Sequence, residues 1–283
     1  MRYPFLLLFI GIQLTCACAF NRDAPNIIVV GGSSGMGKAA AIAAIQRGGK
    51  ALIVSRSEEK LIAAAEQIRT ASRSSGSDEN CVTTAVLDAT DEAAVEKFVS
   101  CLDDCWDGLV VSAAGRAPHG PVTKLPTEST RKLFESKFWT AYHCAKHIST
   151  KLREGGAICF VAGVLNRRPG LNCAPLAAVN GSLEGLTRAL ALELGPKLRV
   201  NCLSPGFCDT ERFDHMDPDK KAAMLANTAD SLPLKRWGEP GDMGEAIYYL
   251  LTAKFCTGVV LDVDGGHGIR QYANPNSDPM RKN

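Results

Sequence analysis

The chain has 283 residues, 46% of them hydrophobic and 22% charged, which suits one large α/β domain with a full core. A formal net charge of +2 gives no electrostatic footing for nucleic acid or an anionic membrane surface. Beyond the N-terminus no segment approaches the ~20 apolar residues of a membrane span.

The N-terminus reads differently from the rest. Arg2 precedes a mostly apolar run from Phe5 to Leu14, and Ala17-Cys18-Ala19 then offers a small-x-small cleavage site. The pattern is that of a secretory signal peptide over 1–19, leaving a mature domain over 20–283. A membrane anchor is the competing reading, and the run is short for one. Cleavage before Phe20 also fits the targeting signals of complex plastids, although Phe20 to Pro25 is short for a transit peptide. Removal of Cys16 and Cys18 leaves 9 of 11 cysteines, scattered and without a C-x-x-C pair. Neither a zinc site nor a disulfide framework follows.

From Ile27 to Val263 apolar runs alternate with helical patterns, the signature of a parallel sheet with helices on both faces. The chain order predicts about seven strands, near 26–30, 51–55, 82–86, 108–112, 156–161, 199–203 and 258–263. Helices are expected over 36–47, 58–72, 91–102, 129–152, 174–194 and 240–252. Residues 73–80 read as a polar loop, 209–234 as an irregular insertion with a helical piece at 218–226, and 274–283 as a polar tail. No repeat appears, and a single domain accounts for the pattern.

The first strand runs into Gly31-Gly32-Ser33-Ser34-Gly35-Met36-Gly37 and then a helix. Glycines let a pyrophosphate approach the backbone N–H groups, and the helix N-terminus adds a favourable dipole. In this strand–turn–helix context the motif reads as a dinucleotide site rather than a tight turn. The second strand ends in Ser55-Arg56-Ser57 where an acidic residue would hold a ribose 2′-hydroxyl. A guanidinium there pairs with a 2′-phosphate, which favours NADP(H) over NAD(H). A solvated arginine is the plainer alternative.

From Asn26 to about Gly268 the chain resembles the short-chain dehydrogenase/reductases. Gly31, Gly35 and Gly37 match that family's cofactor glycines, with Val30 where threonine is usual. Asp88, followed by Ala89, matches the acidic residue near adenine. Ala114-Gly115 matches the end of an Asn-Asn-Ala-Gly turn whose asparagines are here Ser112 and Ala113. Arg199-Val200-Asn201-Cys202-Leu203-Ser204-Pro205-Gly206 matches the segment leading to the nicotinamide, with Thr210 beyond it. Trp237-Gly238-Glu239-Pro240 and Leu261-Asp262-Val263-Asp264-Gly265-Gly266 fit its C-terminal end. The resemblance implies a doubly wound, Rossmann-like α/β domain, and a dimer or tetramer formed through the helices at 129–152 and 174–194.

The resemblance breaks at the chemistry. Aligned through Gly185-Leu186-Thr187-Arg188-Ala189-Leu190, the family's tyrosine falls on Leu176 and its lysine on Asn180; its serine falls on Gly163 and its asparagine on Lys137. Leucine and glycine cannot exchange a proton. Yet asparagine and lysine look exchanged between the two helices. Lys137 is therefore a candidate acid, or a holder of the nicotinamide ribose, with Asn180 leaving it room. The competing reading is an outward, solvated lysine. Arg167-Arg168 reads as an anion-attracting mouth or, more simply, a charged surface loop. The sequon Asn180-Gly181-Ser182 is expected to be buried and unmodified. Three functions stay open: an atypical NADP(H)-dependent oxidoreductase acting on a small molecule, a non-catalytic NADP(H)-binding sensor or assembly protein, and a scaffold without cofactor.

Overall fold

The structure, a computed structural model, describes residues 24–73, 76, 79–104 and 106–269. The expected signal peptide with its cleavage after Ala19, Cys105 and the 274–283 tail lie outside the described residues.

The strands are β1 Ile27–Val30, β2 Ala51–Ser55, β3 Val82–Val86, β4 Trp106–Val111, β5 Leu152–Val161, β6 Arg199–Pro205 and β7 Val260–Val263. They form one parallel sheet in the order β3-β2-β1-β4-β5-β6-β7. The helices are α1 Gly35–Ile45, α2 Glu58–Ser72, α3 Glu92–Ser100, α4 Thr127–Phe134, α5 Thr140–Ile148, α6 Ala174–Leu194, α7 Pro218–Ser231 and α8 Pro240–Thr252. Every residue of β1 is buried, because a parallel strand between two helical layers has no wet face. Side chains alternate across it. Ile27 and Val29 join the core under α1, α2 and α8; Ile28 and Val30 join the core under α3, α5 and α6. The strand order reverses between β1 and β4, and a crevice opens there beyond the carboxyl ends of the strands.

Two expectations needed correction. The helix expected over 129–152 is present through Lys151 but interrupted in type: α4 passes into a π-helical turn, Glu135–Trp139, before α5 begins. Thr140 explains the break, since its backbone N–H and its hydroxyl both donate to the Glu135 carbonyl five residues back. Hydrophobic spacing alone does not reveal such a one-turn bulge, a feature frequent at functional sites. The same stretch ends early, with Leu152 already opening β5. In the insertion, the helical piece expected at 218–226 extends as α7 to Ser231. Asp217 caps it by accepting from the Lys220 amide at 3.1 Å, with proline at the first helical position, where its missing N–H costs nothing.

Helices α1 and α8 pack backbone to backbone: a Cβ on Gly244 would lie 2.6 Å from the Ala39 carbonyl oxygen, whereas one on Gly241 meets nothing within 4 Å. Gly244→Ala should therefore lower unfolding stability by ~1–3 kcal/mol, while Gly241→Ala should leave it unchanged or raise it by up to ~1 kcal/mol. Urea unfolding of the two variants checks the contrast.

Candidate functional site

At the β1–α1 side of the crevice, the turn from β1 to α1 is set by contact. Gly31 has φ +88, and a Cβ on Gly37 would lie 2.3 Å from the Gly31 carbonyl oxygen. Ser33 is partly buried and Ser34 exposed, while Met36 leans on the core. Ser34 is the N-cap of α1 but makes no side-chain cap bond, and the first turn has no acidic residue. The opening N–H groups of α1 therefore face the crevice without a cap of their own. Ser55 and exposed Arg56 close β2; Ser57 caps α2 by accepting from the Lys60 amide at 3.4 Å. Asp88 turns back on itself, accepting from the Thr90 amide and hydroxyl at 3.1 and 2.8 Å. Beside it the Ala89 carbonyl faces His143 Nδ1 at 3.4 Å.

On the other side of the switch point, Ala114 is exposed and the Gly115 amide donates to Ser136 Oγ at 3.0 Å. This bond ties the turn after β4 to the π-helical turn that carries Lys137. Lys137 is 7% exposed. Its Nζ donates to Asn180 Oδ1 at 2.6 Å and to the Ala162 carbonyl at 2.9 Å, so it is an inward lysine and not a solvated one. Burial pushes its ammonium down to about 7; Arg212 pushes the same way and Cys202 opposes.

Asn180, on α6, is 2% exposed, which leaves its sequon inaccessible in the folded chain. Gly163 has φ +154, and a Cβ there would lie 2.8 Å from Asn180 Nδ2. Leu176 packs into a small apolar cluster with Ala117, Leu133 and Val179. The three positions are thus coupled: Gly163 makes room for Asn180, and Asn180 receives Lys137.

The β6 end closes the crevice. Pro205 is buried, the Gly206 amide donates to the Val263 carbonyl at 3.0 Å, and the Thr210 methyl lies where a Cβ on Gly35 would meet it at 3.2 Å. Arg167 is an exposed turn residue, as the charged-loop reading expects, but its guanidinium is fully engaged. It bonds Glu184 at 2.5 Å and Ser204 at 2.9 Å, and it pairs with Asp262. A guanidinium so engaged works as a clamp between α6, β6 and β7.

Sequence reasoning missed Glu211 and Arg212. Glu211 accepts from the Gly35 amide at 2.7 Å and pairs with Lys38, and Arg212 donates to the Gly115 carbonyl at 2.9 Å. No spacing signalled either contact, because both cross more than ninety positions of sequence. Among the described residues no cluster of three or more metal-ligating side chains occurs, no helix is long and apolar enough to cross a membrane, and Cys81, Cys101, Cys144, Cys159, Cys173, Cys202, Cys208 and Cys256 are free.

The sheet order, the glycine turn and the α4–α6 cleft define one class, and comparison with known proteins agrees. The chain belongs to the short-chain dehydrogenase/reductase family: the family model described as enoyl-(acyl carrier protein) reductase matches residues 30–268. It is 30% identical over 243 residues to 3-oxoacyl-(acyl-carrier-protein) reductase of Rattus norvegicus, covering 84% of this chain and 95% of that one. A crystal structure of a small-chain dehydrogenase in complex with NADPH is 31% identical, with a TM-score of 0.71 over 88% of this chain and 100% of the other. The apo structure of a short-chain oxidoreductase from Pseudomonas aeruginosa PAO1 containing an atypical catalytic center is 25% identical, with a TM-score of 0.76 over 89% and 100%.

Lys137 gives stability a pH dependence of known sign. The unfolded chain holds the lysine proton up to about 10.4, whereas the folded chain releases it at about 7. Between these values the unfolded state binds more protons, so this group's contribution to stability rises with pH. Relative to Lys137→Met, the native chain should gain stability from pH 7 to pH 9. Paired urea titrations would show a constant difference if the ammonium were solvated.

Proposed function

We propose that the chain is an NADP(H)-dependent oxidoreductase with a rebuilt proton relay. The observation that carries this reading is Lys137: a buried amine at the switch-point crevice, held by Asn180 and the Ala162 carbonyl, with its proton poised near neutral pH. A general acid works best when its pKa lies near the working pH.

The residues present fit the cofactor. The uncapped start of α1 already takes an anion, the Glu211 carboxylate, at the Gly35 amide. Gly31, Ser33, Ser34, Met36 and Gly37 would line its phosphates. Arg56, with Ser55 and Ser57, would hold the 2′-phosphate. Asp88 and Ala89 would flank the adenine; Ala114, Gly115, Pro205, Gly206 and Thr210 would border the nicotinamide half. The NADPH-bound relative at 31% identity supports the same choice. When bound, the cofactor supplies or accepts the hydride.

Leu176 and Gly163 stand where the family has tyrosine and serine, and neither side chain exchanges a proton. Lys137 Nζ, bonded to Asn180 beside Gly163, is a group that can. In its protonated form it would give a proton to the substrate oxygen, and Asn180 Oδ1 would hold the amine in position. The Pseudomonas relative with an atypical catalytic center makes a departure from the family pattern reasonable. A second reading, a non-catalytic NADP(H)-binding sensor, is favoured by the apolar packing of Leu176.

The test is an NADPH titration followed by cofactor fluorescence, with NADH as control, and then a carbonyl panel scored by NADPH oxidation. NADPH is expected to bind at least ~10-fold tighter than NADH, a preference lost in Arg56→Ala. Lys137→Met should slow any turnover ~10²–10⁴-fold. Tight binding with no turnover across the panel would favour the sensor, and no binding of either cofactor would leave only the scaffold.

Assembly and address belong to the same proposal. Trp139 and Tyr142, 40% and 39% exposed, form an edge-to-face pair beside Phe138, and exposed aromatics of this kind suit a dimer or tetramer surface. Trp139→Glu should shift the chain toward monomer in size-exclusion chromatography. Entry into the secretory pathway, or a complex plastid, through residues 1–19 predicts a mature chain whose first residue, by Edman sequencing, is Phe20.

A further inference from the structure

The stretch that follows β6 does more than border the crevice. The Thr210 methyl lies against Gly35, the Glu211 carboxylate accepts from the Gly35 amide at 2.7 Å and pairs with the Lys38 ammonium, and the Arg212 guanidinium donates to the Gly115 carbonyl at 2.9 Å. Residues 210–212 are therefore pinned to the turn after β1 at one end and to the turn after β4 at the other. Those two turns flank the point where the strand order reverses.

The carboxylate sits at the N-terminus of α1, where backbone N–H groups and the helix dipole favour an anion. Helix α1 has 11 residues, its N-cap Ser34 contributes no side-chain bond, and its first turn has no acidic residue of its own. An anion brought from elsewhere is therefore favoured at its N-terminus. Glu211 supplies it from 176 positions away. Its own ionisation agrees: partial burial pushes the carboxyl up, but the bonds from Lys38 and the Gly35 amide outweigh it and hold it below the usual range. Lys38 also donates to Gln67 Oε1 at 2.6 Å, a neutral partner that would keep it at the crevice if Glu211 left.

We propose that Glu211 is an internal occupant of the phosphate position, and that a dinucleotide enters only when its phosphates displace the carboxylate and the Thr210–Arg212 strap lifts. This inference rests on the dinucleotide-binding reading above. Closure and binding then compete, so the apparent affinity is the intrinsic affinity reduced by the open fraction. A ligand without 5′-phosphates does not meet the carboxylate and should bind regardless of it.

The experiment measures binding of NADPH and of adenosine 2′-monophosphate to the native chain, to Glu211→Gln and to Arg212→Ala, each checked for folding by circular dichroism. Glu211→Gln removes the charge at constant size, and Arg212→Ala releases the strap at its other end, so each supports the test if the other fails to fold. NADPH should bind ~10-fold tighter to both variants, with adenosine 2′-monophosphate unchanged within about twofold. Unchanged or weaker NADPH binding in the variants, with adenosine 2′-monophosphate still bound, overturns the strap and leaves the dinucleotide reading intact. Binding of neither ligand to any of the three proteins overturns both.

Discussion

An ammonium withdrawn from water needs oxygen acceptors or it gives up its proton. That constraint organises the crevice of this protein. Lys137 finds its acceptors on two other elements, Ala162 at the end of β5 and Asn180 on α6. The π-helical turn that carries it is fixed by Thr140 and tied to the β4 turn through Ser136 and Gly115. Gly163 is part of the same arrangement, since any Cβ there would press on the Asn180 amide. Lysine, asparagine and glycine therefore form one unit in which each residue determines what its neighbour can be.

The two ends of the crevice follow different physics. At α1 the backbone does the work: glycines bring the turn close, and an uncapped helix start attracts negative charge. At α4–α6 side chains do the work, inside a low-dielectric pocket where burial, with Arg212 adding to it, draws the Lys137 ammonium down toward its neutral form. The segment 210–212 links them. Glu211 reaches the first end, and Arg212 adds positive charge near the second, helping to hold Lys137 toward its neutral form. Displacement of that segment would thus be felt at both ends.

Most of the fold was legible because parallel strands buried on both faces leave unbroken apolar runs, as Ile27–Val30 and Ala51–Ser55 do. Helix α6 was expected over 174–194 from its helical pattern and has those limits. The inward course of Lys137 was also legible, since the exchange of lysine and asparagine against the family pattern suggested it; that Asn180 itself receives the ammonium was not. The π turn was not, because one extra residue per turn barely alters the hydrophobic spacing. Arg167 was legible as an exposed charged loop residue, but its partners were not, because Glu184 and Asp262 lie on other elements. Contacts between distant elements leave no local pattern, and the hydrogen bond from the Gly35 amide to Glu211 is the same case.

The central claim is that Lys137 is a buried amine whose proton is poised near neutrality. The direct measurement is a pH titration of the lysine 13Cε resonances by NMR, with the Lys137 signal assigned by its loss in Lys137→Met. The account predicts that this one resonance titrates at about 7, apart from the solvated lysines near 10.4. Titration of Lys137 together with the solvated lysines would contradict it, and with it the proposed relay.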